Sequence, residues 1–362
     1  MSDPRPFGST VKRHWTELET PALLIDVDVA QRNIEYMAAR AAEMDVAVRP
    51  HFKAHKCLAL ARLQVEAGAT GITVATANEA LALIEADFNN VLIANQLVQS
   101  IQIDALAKVS SSAQITVLVD EPANLKAISA AACAAGGEIG VMIDVDTGMG
   151  RCGVRRREDG YELAGLAESL PGIRFDGLSA YEGHCAGIED RRQRAAQTRE
   201  AIEAAAEFVD AVDREGIEVP AVSAGGTTTY SIAGADPRVT EVQPGVYAVM
   251  DVARRRFLSE FEIALAVAAT VISRKGSRFV LDCGHKAVNS RYSPPQLTDG
   301  IGEIVAVDEE HLRCDAFGPE PQVGKSVQVV PGDGPLTINL YDRFHAISDG
   351  IVVDEWPVTA RR

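Results

Sequence analysis

Aromatic side chains are scarce in this 362-residue chain: Phe, Trp and Tyr make up 5% of it, although 47% of the residues are hydrophobic. Ala, Val, Leu and Ile therefore supply most of the apolar mass, which is typical of parallel strands covered by helices. The length exceeds that of one ordinary domain but accommodates a βα barrel of about 250 residues and a smaller module. We therefore expect a two-part α/β protein.

Cysteine pairs, basic clusters and long apolar runs are also missing. The six cysteines show no CxxC pair and no regular spacing, so we predict neither a zinc knuckle nor a disulfide framework. A net charge of −16 without an extended basic patch argues against nucleic acid and anionic membranes as partners. We see no secretory leader and no run of about 18 apolar residues. We therefore expect a cytoplasmic protein that binds neither nucleic acid nor a membrane.

Short β-branched runs alternate with longer Ala-rich segments of helical period, which predicts βα units and a parallel sheet. The strand-like runs are residues 22–27, 46–53, 71–76, 91–95, 114–120, 138–146, 173–181, 220–226 and 241–250. The predicted helices include residues 30–44, 78–86, 124–135 and 191–214. Nine strands are one more than an eight-stranded barrel accepts, so either the first or the last lies outside it. Beyond residue 254 the pattern becomes β-rich, and the N-terminal strand could join that part.

A dense basic segment, Arg49-Pro50-His51-Phe52-Lys53-Ala54-His55-Lys56, ends the second predicted strand. In a βα barrel, functional groups gather where strands end and loops begin. A lysine there would be partly desolvated and close to other cations, and both effects lower its pKa and favour imine formation. A solvated basic loop is the alternative interpretation of this segment.

Glycine-rich loops follow three other predicted strands. Residues 223–229, with Gly225 and Gly226 before three threonines, offer donors to a phosphate, although they also suit an ordinary helix start. Residues 243–247 combine Gln243, a possible hydrogen-bond partner for a heteroatom, with Gly245. Residues 144–153 place Arg151 among three glycines, which predicts either a fixed cation near an anion or a rim turn with a surface salt bridge.

Together these segments resemble the D-threonine aldolase and D-serine dehydratase group of fold-type III enzymes, which use pyridoxal 5′-phosphate (PLP). The resemblance runs in order over nearly the whole chain, and the Arg-Pro-His-x-Lys-x-His-Lys string is its most specific part. The matching segments are residues 19–26, 49–56, 146–154, Tyr181, 225–227, 243–251 and 339–342.

The resemblance implies an α/β fold: a (β/α)8 TIM barrel of the alanine-racemase type with a second, β-rich domain. The C-terminal part and the N-terminal strand would form that second domain, which excludes the first strand from the barrel. The implied limits are 1–28 for the N-terminal segment, 29–253 for the barrel and 254–362 for the β-rich domain. The resemblance also implies a homodimer and a small amino-acid substrate.

Residue roles follow from the same resemblance. Lys53 corresponds to the Schiff-base lysine, with Lys56 as the fallback, and Tyr181 is a further catalytic residue. Gln243 occupies the place beside the pyridine nitrogen, where a neutral amide does not force protonation of the ring. The glycines, Thr227 and Val246 fall where the phosphate is held. The full set of cofactor-binding residues is Lys53, His51, Arg151, Tyr181, Gly225, Gly226, Thr227, Gln243, Gly245 and Val246.

The pattern breaks at the metal site that this group carries in a Pro-x-His-x-(Cys or Asp)-x-Thr segment. Here residues 331–337 place Asp333 at the histidine and Pro335, which has no ligating side chain, at the second ligand. We therefore predict no metal ligands and regard a divalent metal as doubtful. His311 is our candidate for a further catalytic acid or base. His345, His184 and Cys185 are alternatives that are equally explained as structural or surface residues.

Three functions remain open at this point. The first is a lyase acting on a β-hydroxy D-amino acid, in which PLP accepts the electron pair of the broken bond. The second is a racemase or epimerase, which needs two bases and no metal. The third is a PLP-binding protein without turnover, against which the β-rich C-terminal domain argues.

Overall fold

The first strand of the chain, β1 (Ala22–Asp26), lies outside the parallel sheet and so accounts for the excess over eight strands. It pairs antiparallel with β10 (Leu265–Lys275) and parallel with β16 (Arg343–Ser348). The computed structural model describes residues 13–298, 300–319 and 321–361. The expectation that the N-terminal strand joins the C-terminal sheet is therefore confirmed.

Eight parallel strands form the second sheet. They are β2 (Ala47–Val48), β3 (Ile72–Val74), β4 (Asn90–Gln96), β5 (Gln114–Val119), β6 (Ile139–Asp144), β7 (Ile173–Ser179), β8 (Val222–Ala224) and β9 (Glu241–Val242). Their order is β2-β9-β8-β7-β6-β5-β4-β3. A parallel bridge between His51 and Thr73 links the segment after β2 to β3, so the sheet closes on itself. All residues of β3 and β6 are buried, as expected when helices cover one face and side chains fill the other.

Helices precede or follow these strands, and the four predicted ones correspond to α1, α3, α5 and α7. Their bounds are α1 (Val27–Glu43), α2 (Leu58–Glu66), α3 (Ala77–Glu85), α4 (Ser100–Val109), α5 (Pro122–Ala135), α6 (Arg157–Ser169), α7 (Arg191–Arg214) and α8 (Tyr230–Ala233). Local signals set several ends. The hydroxyl of Thr76 accepts from the Glu79 amide at the start of α3, and the Asp190 carboxylate accepts from the Gln193 amide at the start of α7.

Three predicted strands are shorter than their apolar runs, and the missing part carries predicted site residues each time. The runs 46–53, 220–226 and 241–250 are strands only over β2, β8 and β9. Pro50 and Pro244 have no N–H to extend a ladder, and Gly225 adopts a left-handed φ of 73°. The chain therefore turns at these points instead of continuing as strand.

The remaining strands form the mixed sheet. They are β11 (Arg278–Leu281), β12 (Gln296–Leu297), β13 (Gly302–Val307), β14 (Leu312–Ala316), β15 (Ser326–Val330) and β17 (Ile351–Pro357), with the short helices α9 (Val252–Arg255) and α10 (Gly334–Ile338) nearby in sequence. The main order is β13-β14-β11-β10-β1-β16-β17, and β15 pairs with β10 and β12. One core cluster joins Ala22 and Leu24 of β1 to Ala268 of β10 and Ile347 of β16. The predicted β-rich part is thereby confirmed.

By their contacts the described residues fall into two units. One comprises the described part of Met1–Tyr36, Ala54–Leu60 and Val246–Arg362, and the other comprises Met37–Lys53 and Ala61–Gly245. We call them the sheet unit and the barrel unit. The domain limits drawn from the sequence at residues 28 and 253 stay a prediction. Nowhere in the described chain is a helix both long and apolar enough to cross a membrane.

Candidate active site

Three of the predicted site residues meet at the carboxyl ends of the barrel strands. Lys53 lies in the 3₁₀ turn Phe52–Ala54 after β2, Arg151 follows β6, and Tyr181 follows β7. The Lys53 Nζ atom is 5.8 Å from the centroid of the Tyr181 ring, and the Arg151 Cζ atom is 6.0 Å from the same centroid. Parallel strands that end at one edge of a barrel thus bring together residues distant in sequence.

The Lys53 amine is electrostatically perturbed. Its pKa is lowered to about 8, first by desolvation and then by the positive charge of Arg151, while the buried carboxylate of Glu79 opposes the shift. The Lys53 side chain is nevertheless exposed, so water still reaches it. The two observations agree because an amine in the open end of a barrel is surrounded by protein atoms without being sealed off. The predicted low pKa of a lysine at this position is therefore supported by its surroundings.

The glycine loop after β8 packs against Tyr181. A Cβ atom added to Gly226 would lie 3.1 Å from Tyr181 Cε2, closer than a side chain normally approaches. At Gly225 the left-handed backbone and the neighbouring Val242 Cγ1, 3.0 Å from such an atom, both disfavour a larger residue. The left-handed backbone thus favours glycine at position 225, and a side chain at position 226 would have to displace the Tyr181 ring.

Glu182, which the sequence analysis did not single out, organises that loop from a fully buried position. Its Oε2 accepts from the Gly225 amide at 3.1 Å, and its Oε1 accepts from the Thr229 hydroxyl. Thr229 Oγ1 in turn accepts from the Gly226 amide at 2.9 Å. In the following segment the Gly245 amide donates to Thr227 Oγ1 at 3.1 Å. The amides of these three glycines are therefore already used within the protein.

Gln243 lies between the predicted lysine and the glycine loop. Its backbone N–H donates to the Gly225 carbonyl at 2.9 Å, and the carbonyl of the adjacent Pro244 accepts from the backbone N–H of His51 at 3.0 Å. His51 is buried. The sheet order β2-β9-β8 explains this placement, since Gln243 follows the strand between the other two.

Asp144, at the end of the fully buried strand β6, is a second residue that the sequence analysis named only as part of a segment. Burial raises its pKa to about 6, while a hydrogen bond from Gln96 Nε2 at 2.7 Å and the charge of Arg151 oppose this shift. A carboxylate that ends an otherwise apolar strand was the available signal. Nearby, His184 is exposed and Cys185 is buried within the turn Gly183–Cys185.

Lys56, the fallback lysine, belongs to the sheet unit. It is buried, its backbone has a φ of 50°, and its Nζ donates to the Ala360 carbonyl at 3.1 Å. The Lys56 carbonyl also accepts from the Thr359 amide at 2.7 Å. Lys56 is therefore held in a structural role, and Lys53 is left as the stronger candidate.

The remaining predicted residues also lie in the sheet unit. His311 is exposed in the turn between β13 and β14, and its role as an acid or base stays a prediction. His345, on β16, has its Nδ1 3.3 Å from Glu355 Oε1. Val246 opens the 3₁₀ turn Val246–Ala248.

Asp333, at the position where the resembled group carries a metal-binding histidine, lies near an arginine that also contacts a second buried carboxylate. Arg254 Nη1 is 2.6 Å from Asp251 Oδ2 and 3.8 Å from Asp333 Oδ1. Asp333 Oδ1 also caps α10 by accepting from the Leu336 amide at 3.2 Å. Among the described residues no three His, Cys, Asp or Glu side chains are grouped so that they could hold a metal ion. These residues are a poor fit for a divalent metal, because the guanidinium of Arg254 pairs with Asp251 and offsets one of the two negative charges.

The closed parallel barrel, with a lysine of lowered pKa beside a tyrosine at the carboxyl ends of its strands, defines an enzyme with an alanine-racemase-like fold. Residues 25–252 match the model of the family described as alanine racemase, N-terminal domain, and residues 264–347 match that of a serine dehydratase domain. The chain belongs to this alanine racemase N-terminal domain family.

Individual relatives are similar over almost their full length. A D-threonine aldolase of Arthrobacter sp. is 35% identical over 352 residues, which cover 95% of this chain and 93% of the relative. A 3-hydroxy-D-aspartate aldolase of Paracoccus denitrificans is 32% identical, covering 96% and 93%. The crystal structure of a D-threonine aldolase from Filomicrobium marinum superposes with a TM-score of 0.94 at 32% identity, covering 98% and 99%. The predicted family and its class, PLP-dependent lyases, are thereby confirmed.

Proposed function

We propose that this protein is a PLP-dependent lyase that acts on a β-hydroxy D-amino acid and that Lys53 binds the cofactor as a Schiff base. The observation that carries the proposal is the Lys53 amine, whose pKa is lowered to about 8 and which faces the Tyr181 ring beside Arg151. The names of the relatives support the substrate class, because D-threonine and 3-hydroxy-D-aspartate both carry a β-hydroxyl.

The described residues fit PLP in chemical type. Lys53 supplies the amine, and Tyr181 and His51 supply rings. Gly225 and Gly226 form a loop that is free of side chains, where a phosphate can approach the backbone. Since the amides of both glycines already donate within the protein, we assign them a role in shape rather than in donation. When bound, PLP would supply an electron sink for the pair released at the substrate's Cα.

The chain's own residues prepare the site for that chemistry. Desolvation and Arg151 keep a larger fraction of Lys53 neutral than in a free lysine, and only the neutral amine is a nucleophile. We assign Tyr181 as the second catalytic residue because its ring lies against both Lys53 and the glycine loop. In this proposal its phenol holds or moves a proton at the reacting centre.

Chemical trapping tests the proposal directly. The protein is incubated with PLP, reduced with borohydride and digested, and the modified peptide is identified by mass spectrometry. We expect the cofactor mass on Lys53, its loss in Lys53→Ala, and no change in Lys56→Ala, the matched control three residues away. Cofactor mass on another residue, or none, would contradict the proposal. Release of aldehyde or ammonia from D-threonine, D-serine and 3-hydroxyaspartate then assigns the substrate.

We further propose that the lyase works without a divalent metal. Arg254 forms an ion pair with Asp251 and lies near Asp333, and Pro335 offers no ligating side chain, so this segment is a poor metal site. We expect calorimetric titration with Mn²⁺ to show no stoichiometric binding, and EDTA to leave the activity unchanged. Stoichiometric binding that disappears in Asp333→Asn would overturn this part of the proposal.

Racemisation or epimerisation is the second candidate, and the replacement of metal ligands by Asp333 and Pro335 favours it. Such a reaction exchanges the Cα proton with solvent but releases neither aldehyde nor ammonia. Nuclear magnetic resonance in deuterated water separates the two candidates, since deuterium at Cα without cleavage would select the racemase. We also propose a homodimer, which light scattering coupled to size-exclusion chromatography tests.

A further inference from the structure

A chain of hydrogen-bonded side chains begins at Arg49, after β2, passes through residues of β9 and β8, and ends at Gln243. Arg49 Nε donates to Glu241 Oε2 at 2.7 Å, the Ser223 hydroxyl donates to Glu241 Oε1 at 2.6 Å, and Gln243 Nε2 donates to Ser223 Oγ at 2.7 Å. Ser223 is fully buried, and Glu241 and Gln243 are 5% and 7% exposed. We call this chain the Arg49 relay.

The direction of every hydrogen bond in the Arg49 relay is determined by its charged end. A guanidinium only donates and a carboxylate only accepts, so Glu241 receives hydrogens from both neighbours. The Ser223 hydroxyl has a single hydrogen, which it donates to Glu241. Its oxygen must therefore accept a hydrogen bond from Gln243. Gln243 therefore turns its NH₂ group towards Ser223, and the opposite end of the amide is its carbonyl oxygen. No described residue donates to that oxygen.

We propose that Arg49, Glu241 and Ser223 are positioning residues that present the carbonyl oxygen of Gln243 to the cofactor and so hold the pyridine nitrogen protonated. The inference rests on the proposed function and on the predicted place of Gln243 beside that nitrogen. A carbonyl oxygen accepts from a ring N–H but repels the lone pair of an unprotonated ring. A protonated ring is the stronger electron sink, which suits cleavage of a bond at Cα.

The relay makes an unusual prediction for an isosteric substitution. Glu241→Gln keeps the bond from Arg49, but the new amide donates to Ser223 instead of accepting from it. The Ser223 hydroxyl then donates to Gln243, whose amide flips and presents its NH₂ group at the far end. The pyridine nitrogen should consequently lose its proton, although no residue beside it has changed.

The test uses the full-length protein reconstituted with PLP labelled with ¹⁵N in the ring, whose nitrogen resonance distinguishes the protonated from the unprotonated state. We expect the protonated resonance in the parent protein and the unprotonated one in Glu241→Gln. Ser223→Ala removes the acceptor that orients the Gln243 amide, so this variant should also lose the protonated resonance. Combining Glu241→Gln with Gln243→Glu should restore it, because a carboxylate beside the nitrogen needs no relay.

Asp176 supplies the matched control. It accepts from Arg174 Nε and from the Thr116 hydroxyl, both at 2.6 Å, and thus has the same kinds of partners as Glu241 without a glutamine beyond them. Asp176→Asn should leave the resonance unchanged. An unprotonated ring in the parent protein, or a protonated ring in Glu241→Gln, would overturn the inference. Failure of PLP to bond to Lys53 would instead overturn the proposed function.

Discussion

The titration of Lys53 is the most direct test of how this site activates an amine. With a pKa of about 8, roughly 10% of the amine is neutral at about pH 7, whereas a lysine with the ordinary value is roughly 0.03% neutral. The site therefore raises the reactive fraction about 300-fold. Desolvation is the largest cause, and the charge of Arg151 is the next.

Two substitutions should move this pKa in opposite directions. Arg151→Gln removes a cation, so the Lys53 pKa should rise, although desolvation keeps it below the ordinary value. Glu79→Gln removes the carboxylate that favours the charged amine, so the pKa should fall below about 8. Opposite signs from two neutralising changes distinguish electrostatic effects from general disturbance of the fold.

Trace acetylation of the protein without added cofactor measures the pKa at a single lysine. The rate of labelling at Lys53, quantified by mass spectrometry across pH, follows the neutral fraction, and exposed lysines such as Lys275 in the same digest provide the reference. We expect a midpoint near pH 8 for Lys53. A midpoint equal to that of the reference lysines, or shifts of the same sign in both variants, would refute the reasoning.

Three further predictions concern stability. Because the folded pKa of Asp144 is raised to about 6, the folded state binds a proton that the unfolded state has lost, and stability falls as pH rises from about 4 to above 6. Asp144→Asn should therefore raise the free energy of unfolding by up to about 3 kcal/mol at about pH 8 and change it little below about pH 4. Urea unfolding in which the variant is less stable than the parent protein at high pH would contradict this. Gly225→Ala should lower the free energy of unfolding by at least about 1 kcal/mol more than Gly136→Ala does. Both glycines have left-handed φ values, but only at Gly225 would the new Cβ atom lie against Val242. Equal losses of stability in the two variants would show that this packing is irrelevant. Arg254→Met should lower the free energy of unfolding by about 3 kcal/mol by leaving buried carboxylates without their cation, and Mn²⁺ should not restore it in thermal melts.

Much of the architecture was predictable from local patterns. Alternation of β-branched runs with Ala-rich segments reflects short-range periodicity, so the barrel strands and α1, α3, α5 and α7 could be placed from the sequence. Predictions were less accurate at strand ends, where Pro50, Pro244 and Gly225 stop the ladder before the apolar run ends. Backbone hydrogen bonding there overrides hydrophobicity.

The sequence by itself determined which residue types are available: two lysines in a dense basic segment, a glycine pair before threonines, and an aspartate and a proline where the resembled group carries its metal ligands. Only the tertiary structure decided what each of them does. Lys56 became structural because the Ala360 carbonyl, 304 positions away, accepts a hydrogen bond from it. Asp333 became a poor metal ligand because Arg254 lies near it. Likewise Glu182 acquired its role from the loop after β8, and Ser223 from Glu241 on β9. Charge and hydrogen bonding depend on distance in space, and the closure of the barrel, rather than any local pattern, sets those distances.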